Sequence, residues 1–132
     1  MTTAIDRALQ GKTLSTSLTV DDVQKSIGFF EGLGFSVGDR WEKDGTLLGV
    51  MMKAGGVEIG LSQDDWQKGR DRKKGIGVRL YIDTAQDVDQ LAARAREHGI
   101  ALDAEPHDTE WGSRAFDVTE PSGFKITIGK EK

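Results

Sequence analysis

The chain contains two histidines and no cysteine, so any chemistry it performs rests on oxygen and nitrogen groups. The missing thiols remove disulfides, thiolate nucleophiles and thiolate metal sites together. His98 stands just before Gly99 at the end of an amphipathic stretch, where an imidazolium complements a helix dipole. His107, in Glu105-Pro106-His107-Asp108-Thr109-Glu110, lies beside several carboxylates and is the one imidazole placed to join a metal or act as a base, although acidic loops commonly carry a stray histidine. A Ser-His-Asp arrangement is compatible with the residue count, but no nucleophile elbow accompanies it. Glu58 and Tyr81 are the further candidates for proton transfer, and Arg79 is a candidate partner for Glu58. Trp41, Trp66 and Trp111, with Phe35, Phe116, Met51 and Met52, fall outside the helical stripes and are candidate walls for an organic ligand. Phe35 reads better as core, whereas Trp66 and Trp111, in polar loops, suit a binding or dimer surface. Adjacent strand residues point to opposite faces, so one of Met51 and Met52 faces a ligand.

The elements that must position these residues come in two copies. Leu18-Thr19-Val20-Asp21 recurs 62 residues later as Leu80-Tyr81-Ile82-Asp83, and Gly56-Val57-Glu58-Ile59-Gly60-Leu61 recurs 67 residues later as Gly123-Phe124-Lys125-Ile126-Thr127-Ile128. Self-similarity of this kind marks two packed units whose matching positions build a shared surface. In the first copy, alternation over 13–20 predicts a strand, and Asp21 or Asp22 caps a helix whose buried stripe is Val23, Ile27, Phe29, Phe30 and Leu33, closed by Gly34. Strands at 35–41, 46–53 and 57–62 follow, separated by Asp44-Gly45 and Gly55-Gly56. In the second copy, 76–83 reads as strand and 84–98 as helix, with Thr84 and Asp87 resembling a capping box and Gly99 closing the turn. Strands near 101–105, 114–119 and 124–128 complete it, the last two joined by Glu120-Pro121-Ser122-Gly123.

Each unit is therefore βαβββ. The strands are not apolar on both faces, which predicts an α+β fold: two modules forming a curved, mainly antiparallel mixed sheet with helices on the outer face. A single domain of 132 residues is expected, with a short N-terminal helix or arm over 1–12 carrying Ala4, Ile5, Ala8 and Leu9, modules at 13–62 and 76–129, and a linker at 63–75. Lys68-Gly69-Arg70-Asp71-Arg72-Lys73-Lys74 within that linker reads as solvated. No aromatic alternates with its charges to stack bases, and 18 basic against 22 acidic residues argue against a nucleic-acid partner. No apolar run approaches the roughly 20 residues of a membrane span, and the opening residues lack a signal peptide's apolar core, so no membrane partner and a cytoplasmic location are expected.

Leu18-Thr19-Val20-Asp21-Asp22-Val23-Gln24-Lys25-Ser26-Ile27-Gly28-Phe29-Phe30, followed by Leu33-Gly34-Phe35, resembles the first unit of the vicinal oxygen chelate superfamily, the glyoxalase/bleomycin resistance/dioxygenase group. Trp111-Gly112-Ser113-Arg114, Phe116 and Glu120-Pro121-Ser122-Gly123-Phe124-Lys125-Ile126 resemble its C-terminal signature, with Phe30 where Tyr is usual and Glu-Pro-Ser-Gly in place of the commoner Asp-Pro-Asp-Gly. The resemblance spans 13–129. Metal-dependent members take ligands from four strand positions on the inner face of the sheet, which align here with Ser15, Gly60, Gly77 and Thr127. Glycine offers no side chain and neutral hydroxyls are weak donors, so this is no competent ligand set. No cofactor is expected.

Strand alternation from those four positions assigns the rest of the inner face: Ser15, Ser17 and Thr19; Glu58, Gly60 and Ser62; Gly77, Arg79 and Tyr81; Lys125 and Thr127. The opposite parity, from Leu18 and Val20 through Val78 to Ile128, is apolar and packs beneath the helices. Small residues at the centre with polar groups around them form a roomy trough. The resulting expectation is a metal-free, bleomycin-resistance-like protein that sequesters an aromatic or amphiphilic small molecule. The trough is taken to be lined by Ser15, Ser17, Glu58, Gly60, Gly77, Arg79, Tyr81, Thr127, Trp41, Trp66, Trp111 and Phe116. The resemblance also implies a homodimer with troughs near the subunit interface, with or without exchange of modules between subunits. The competing expectation is a lyase or isomerase acting without the usual metal through Glu58, Tyr81 or His107, or with an unrecognised metal site.

Overall fold

The computed structural model describes residues 7–132. In chain order the elements are β1 (Thr16–Val20), α1 (Val23–Leu33), β2 (Ser36–Lys43), β3 (Thr46–Ala54), β4 (Val57–Gln63), β5 (Arg79–Asp83), α2 (Val88–Glu97), β6 (Leu102–Asp108), β7 (Ser113–Thr119) and β8 (Lys125–Glu131). The expected N-terminal helix lies partly outside the described residues, and Ala8 to Ser15 join neither helix nor strand. Leu9 and Leu14 stay almost fully exposed, with no apolar surface to order that segment.

Local chemistry sets the helix ends. The Asp22 carboxylate accepts from the amides of Gln24 and Lys25 at 3.0 and 3.3 Å, and Gly34 ends α1 in the left-handed region at φ 108°. The cap of α2 is Asp87, which accepts from Asp89 and Gln90, so the helix starts four residues later than Thr84. Thr84 instead closes a turn by accepting from the amide of Gln86 at 3.2 Å.

The sheet divides between the modules, four strands to each, in the orders β1-β4-β3-β2 and β5-β8-β7-β6. The β1–β4 and β5–β8 pairs are parallel, because the helix carries the chain across before the three-strand meander returns it. Leu18 lies opposite Leu61, whereas Leu80 lies opposite Ile126, the repeat counterpart of Ile59. The second ladder is thus offset by two residues from the first, and an even offset leaves every side chain on its face. Val20, Phe30, Met52, Phe116, Val118 and Ile126 are fully buried in one cluster that runs through both modules under α1 and α2. Val78 is an exception to the expected pattern, since β5 begins only at Arg79 and leaves it half exposed.

The two modules are joined by packing of α1 on α2 and by a buried polar staple. The Glu120 carboxylate, 1% exposed, accepts from the Ser26 hydroxyl of α1 and, at 2.6 Å, from the amide of Ser122. Ser122 in turn accepts from the amide of Asp21 at 2.8 Å. Beside this staple the end of the linker crosses the β7–β8 turn backbone to backbone. A Cβ on Gly75, at φ 79°, would sit 2.2 Å from the carbonyl oxygen of Gly123, so a side chain there is excluded.

Candidate functional site

The inner face of the first module carries an apolar slot with a hydroxyl rim. Ser17 lies opposite Gly60, Gly60 opposite Met51, and Gly49 opposite both Ser62 and Trp41, so β1, β4, β3 and β2 each contribute one row. The absent side chains make the slot: the Trp41 ring lies over Gly49, and the Met51 methyl lies over Gly60. Ser15, Thr16, Ser17 and Ser62 border a cavity of about 310 Å³ with Trp41, Met51, Gly60 and Leu61. The structure therefore brings together the predicted Ser15, Ser17, Gly60 and Trp41. It resolves the methionine pair too, since Met52 is fully buried in the core while Met51 faces the slot.

The second module presents a polar counterpart. Arg79 donates from Nη1 to the Thr127 hydroxyl at 3.0 Å, Thr127 donates to Asp117 at 2.7 Å, and Arg79 and Asp117 form a loose ion pair at 3.7 Å. Tyr81 lies opposite Thr127 on the same face and is largely exposed. Toward the start of β5, Ile76, Gly77, Val78, Arg79 and Lys125 help to line a second cavity of about 490 Å³. Glu58 does not pair with Arg79. It belongs to the other sheet and lies 3.9 Å from Lys53, its register partner on β3, with both side chains half exposed.

Three predicted aromatic positions part company. Phe116 is fully buried, opposite Ile128 on the core face, and so lines no trough. Trp66 belongs to the linker. Its backbone is left-handed at φ 63°, and its ring is in cation–π contact with the Arg70 guanidinium and the Lys74 ammonium, 5.1 and 4.7 Å from the ring centroid. The linker is consequently not a fully solvated segment: the Lys74 side chain is 3% exposed and its ammonium meets both Asp21 and, at 2.8 Å, Asp64. Burial opposes the Lys74 charge, but those two carboxylates outweigh it and hold its pKa above 10.5. The Lys74 ammonium and the Trp66 amide hold Asp64 below its ordinary 3.8, against the opposing effect of burial. Trp111 is exposed on the β6–β7 turn, where a separate cavity of about 600 Å³ also touches Asp83, Lys130 and Glu131.

Proton-transfer and metal chemistry find little support in the arrangement. Glu58, Tyr81 and His107 occupy β4, β5 and β6, and no hydrogen bond joins them among the described residues. His107 contacts the Glu105 carbonyl through Nδ1 at 2.7 Å. His98 does the same with the Arg94 carbonyl at 2.9 Å, in the last turn of α2. Among the described residues no three His, Asp or Glu side chains gather into a metal-binding group. Ser15, Gly60, Gly77 and Thr127 do not fit a divalent metal. Two have no side chain, and the Thr127 hydroxyl is already engaged by Arg79 and Asp117.

Asp117 is the inner-face residue that the sequence reading leaves unnamed, whereas Met51 is already one of its two candidate methionines. Each had a signal in strand parity, Met51 two residues from Gly49 and Asp117 next to the core-facing Phe116.

Two βαβββ modules, each with a four-stranded mixed sheet, define the fold class. Residues 12–128 match the Glyoxalase/Bleomycin resistance protein/Dioxygenase superfamily, and the chain belongs to it. TioX from Micromonospora sp. ML1 has a similar structure, with a TM-score of 0.74 at 18% identity over 92% of this chain and 100% of that one. TnmS3, an antibiotic binding protein from Streptomyces sp. CB03234, superposes with a TM-score of 0.70 at 24% identity over 95% of this chain and 99% of that one. A superfamily member from Sphaerobacter thermophilus DSM 20745 gives 0.71 at 23% identity over 92% and 98%. No curated protein matches in sequence. No helix among the described residues is long and apolar enough to cross a membrane.

Proposed function

We propose that this protein binds an aromatic or amphiphilic small molecule on the inner face of its sheets and holds it unchanged and without a metal. The observation that carries this reading is the slot in which Trp41 and Met51 lie over Gly49 and Gly60 beside three serine hydroxyls. Apolar walls with a few directional polar groups are what an organic ligand requires. The four positions that hold metal in related enzymes offer no ligand set, and binding needs none. TnmS3 supports the reading as an antibiotic binding protein with the same fold.

The apolar slot and the polar counterpart lie on separate sheets of one chain. In the proposed working form, a homodimer brings the first module of one copy against the second module of the other to complete each trough. The decisive experiment is a thermal-shift screen of the full chain against antibiotics, quinones and thiol adducts, followed by titration of the hits through indole fluorescence. The expected result is saturable binding with the ligand recovered unchanged by mass spectrometry, no stoichiometric Zn, Ni, Fe or Mn by elemental analysis, and a dimer mass by light scattering. Turnover of the ligand, or a full equivalent of metal, overturns the proposal.

A further inference from the structure

We infer that the cavity at the start of β5 is built for an organic anion, so that the compound held in the trough is an aromatic acid; this rests on the trough reading above. Arg79 and Lys125 are direct partners across the parallel β5–β8 ladder and project from the same face. Like charges set opposite one another in a sheet destabilise it, and a neighbouring anion relieves the repulsion. The chain supplies little of that relief. Asp117 stands at 3.7 Å from Arg79 and is shared with Thr127, and among the described residues Lys125 enters no ion pair. The third cation of the cavity, Lys74, is already held by Asp21 and Asp64.

The surroundings select an anion with an apolar body. Ile76 and Val78 flank the cations with their side chains 75% and 51% exposed, an apolar wall with no cover of its own. Gly77 adds open space, since a Cβ built there meets nothing within 4 Å. The first module contributes the aromatic slot, and no cation lines it. A carboxylate between Lys125 and the outer edge of Arg79, with its ring system against Ile76, Val78 and the Trp41 slot, uses every one of these features. Since the chain as a whole carries a net charge of −4, generic attraction of anions does not account for such a site.

Naphthoate and naphthamide share one aromatic body and differ in charge, which makes them the probes for a calorimetric titration of the full chain. The expected result is naphthoate binding about tenfold tighter than naphthamide, the worth of one charge-assisted contact at a partly exposed site. In Lys125→Gln, an exposed position where folding is not at stake, that gap narrows because naphthoate loses more affinity than naphthamide. Equal affinity for the two probes in the parent protein overturns the inference and leaves the trough reading standing. A gap that survives in both Lys125→Gln and Arg79→Gln puts the anion elsewhere and overturns it as well. Binding of neither probe overturns the inference and the aromatic trough together.

Discussion

Replacing Ser26 by Ala removes one hydroxyl and tests how firmly the two modules are held together. The Ser26 side chain is fully buried in α1, and its hydroxyl is the donor to one oxygen of Glu120, whose other oxygen accepts from the Ser122 amide. Water does not reach the vacated position, so Ser26→Ala leaves a buried carboxylate oxygen without a donor. A hydrogen bond to a charged group contributes about 1.5–3 kcal/mol, and stranding the acceptor puts the cost at the upper end, about 2–3 kcal/mol. That is a large share of the roughly 5–15 kcal/mol that holds a small domain folded. Glu120→Gln keeps both contacts, with the amide oxygen toward Ser122 and its NH2 toward Ser26, and is expected to cost about 1 kcal/mol or less. Equilibrium urea unfolding measures both, with an unchanged slope confirming that the same surface is exposed. In the Glu120→Gln background, Ser26→Ala should lose at least about 1 kcal/mol of its effect, because a neutral amide tolerates a missing partner better than a carboxylate. A loss below about 0.5 kcal/mol for Ser26→Ala, or strict additivity in the pair, refutes the staple.

Lys74→Met should cost about 3–5 kcal/mol in the same assay, because it leaves Asp64 buried without its ammonium partner; a loss under about 1 kcal/mol would return the linker to a solvated strap. Asp64, Asp89 and Asp108 all titrate below their ordinary 3.8, held there chiefly by hydrogen bonds from Lys74, from Arg114, and from Lys132 with Arg114 respectively. Folded-state values below the unfolded one mean that the unfolded chain binds more protons in acid. Their stabilisation is therefore complete above about pH 5 and is lost as pH falls through the folded values. The Tm of Arg114→Gln should decline less steeply on acidification than that of the parent, and parallel acid limbs would refute the assignment. In the slot, a Cβ on Gly60 meets neighbours at 3.6–3.7 Å, ordinary contact, whereas one on Gly49 comes within 3.0 Å of the Trp41 ring and of the Leu61 carbonyl. Gly60→Ala should stay within about 1 kcal/mol of the parent in stability while weakening ligand binding, and Gly49→Ala should also shift the indole emission by displacing Trp41. Unaltered affinity in both variants would take the slot out of the ligand's path.

Most of the fold is legible in the sequence because each βαβββ unit announces itself by period. Val23, Ile27 and Phe30 keep helical spacing, Leu18 and Val20 keep strand spacing, and Gly34 and Gly99 stop the helices with left-handed backbone. What the pattern misses is decided by contacts distant in sequence. Phe116 reads as a wall residue in isolation, and only its pairing with Ile128 shows that it faces the helices. Lys74 reads as one more charge in a basic run, and its burial depends on Asp21 and Asp64, 53 and 10 residues away, meeting it over the Trp66 ring. Glu58 and Arg79 share the inner-face parity, yet parity carries no information about which sheet a strand joins, and each found its partner within its own module.

Gly60 and Thr127 are repeat counterparts, and each is put to a different use. At Gly60 the Met51 methyl from the next strand lies where a side chain would stand, which makes the position apolar wall. At Thr127 a hydroxyl is retained but committed on both sides, accepting from Arg79 and donating to Asp117. The first change favours contact with an aromatic surface, and the second fixes a guanidinium beside Lys125 at a set height on the sheet. The two repeat halves thus differ, one offering an aromatic slot and the other a guanidinium beside Lys125. On the proposed reading, that asymmetry suits a single ligand with an apolar end and a polar end, held where the first module of one copy faces the second module of another.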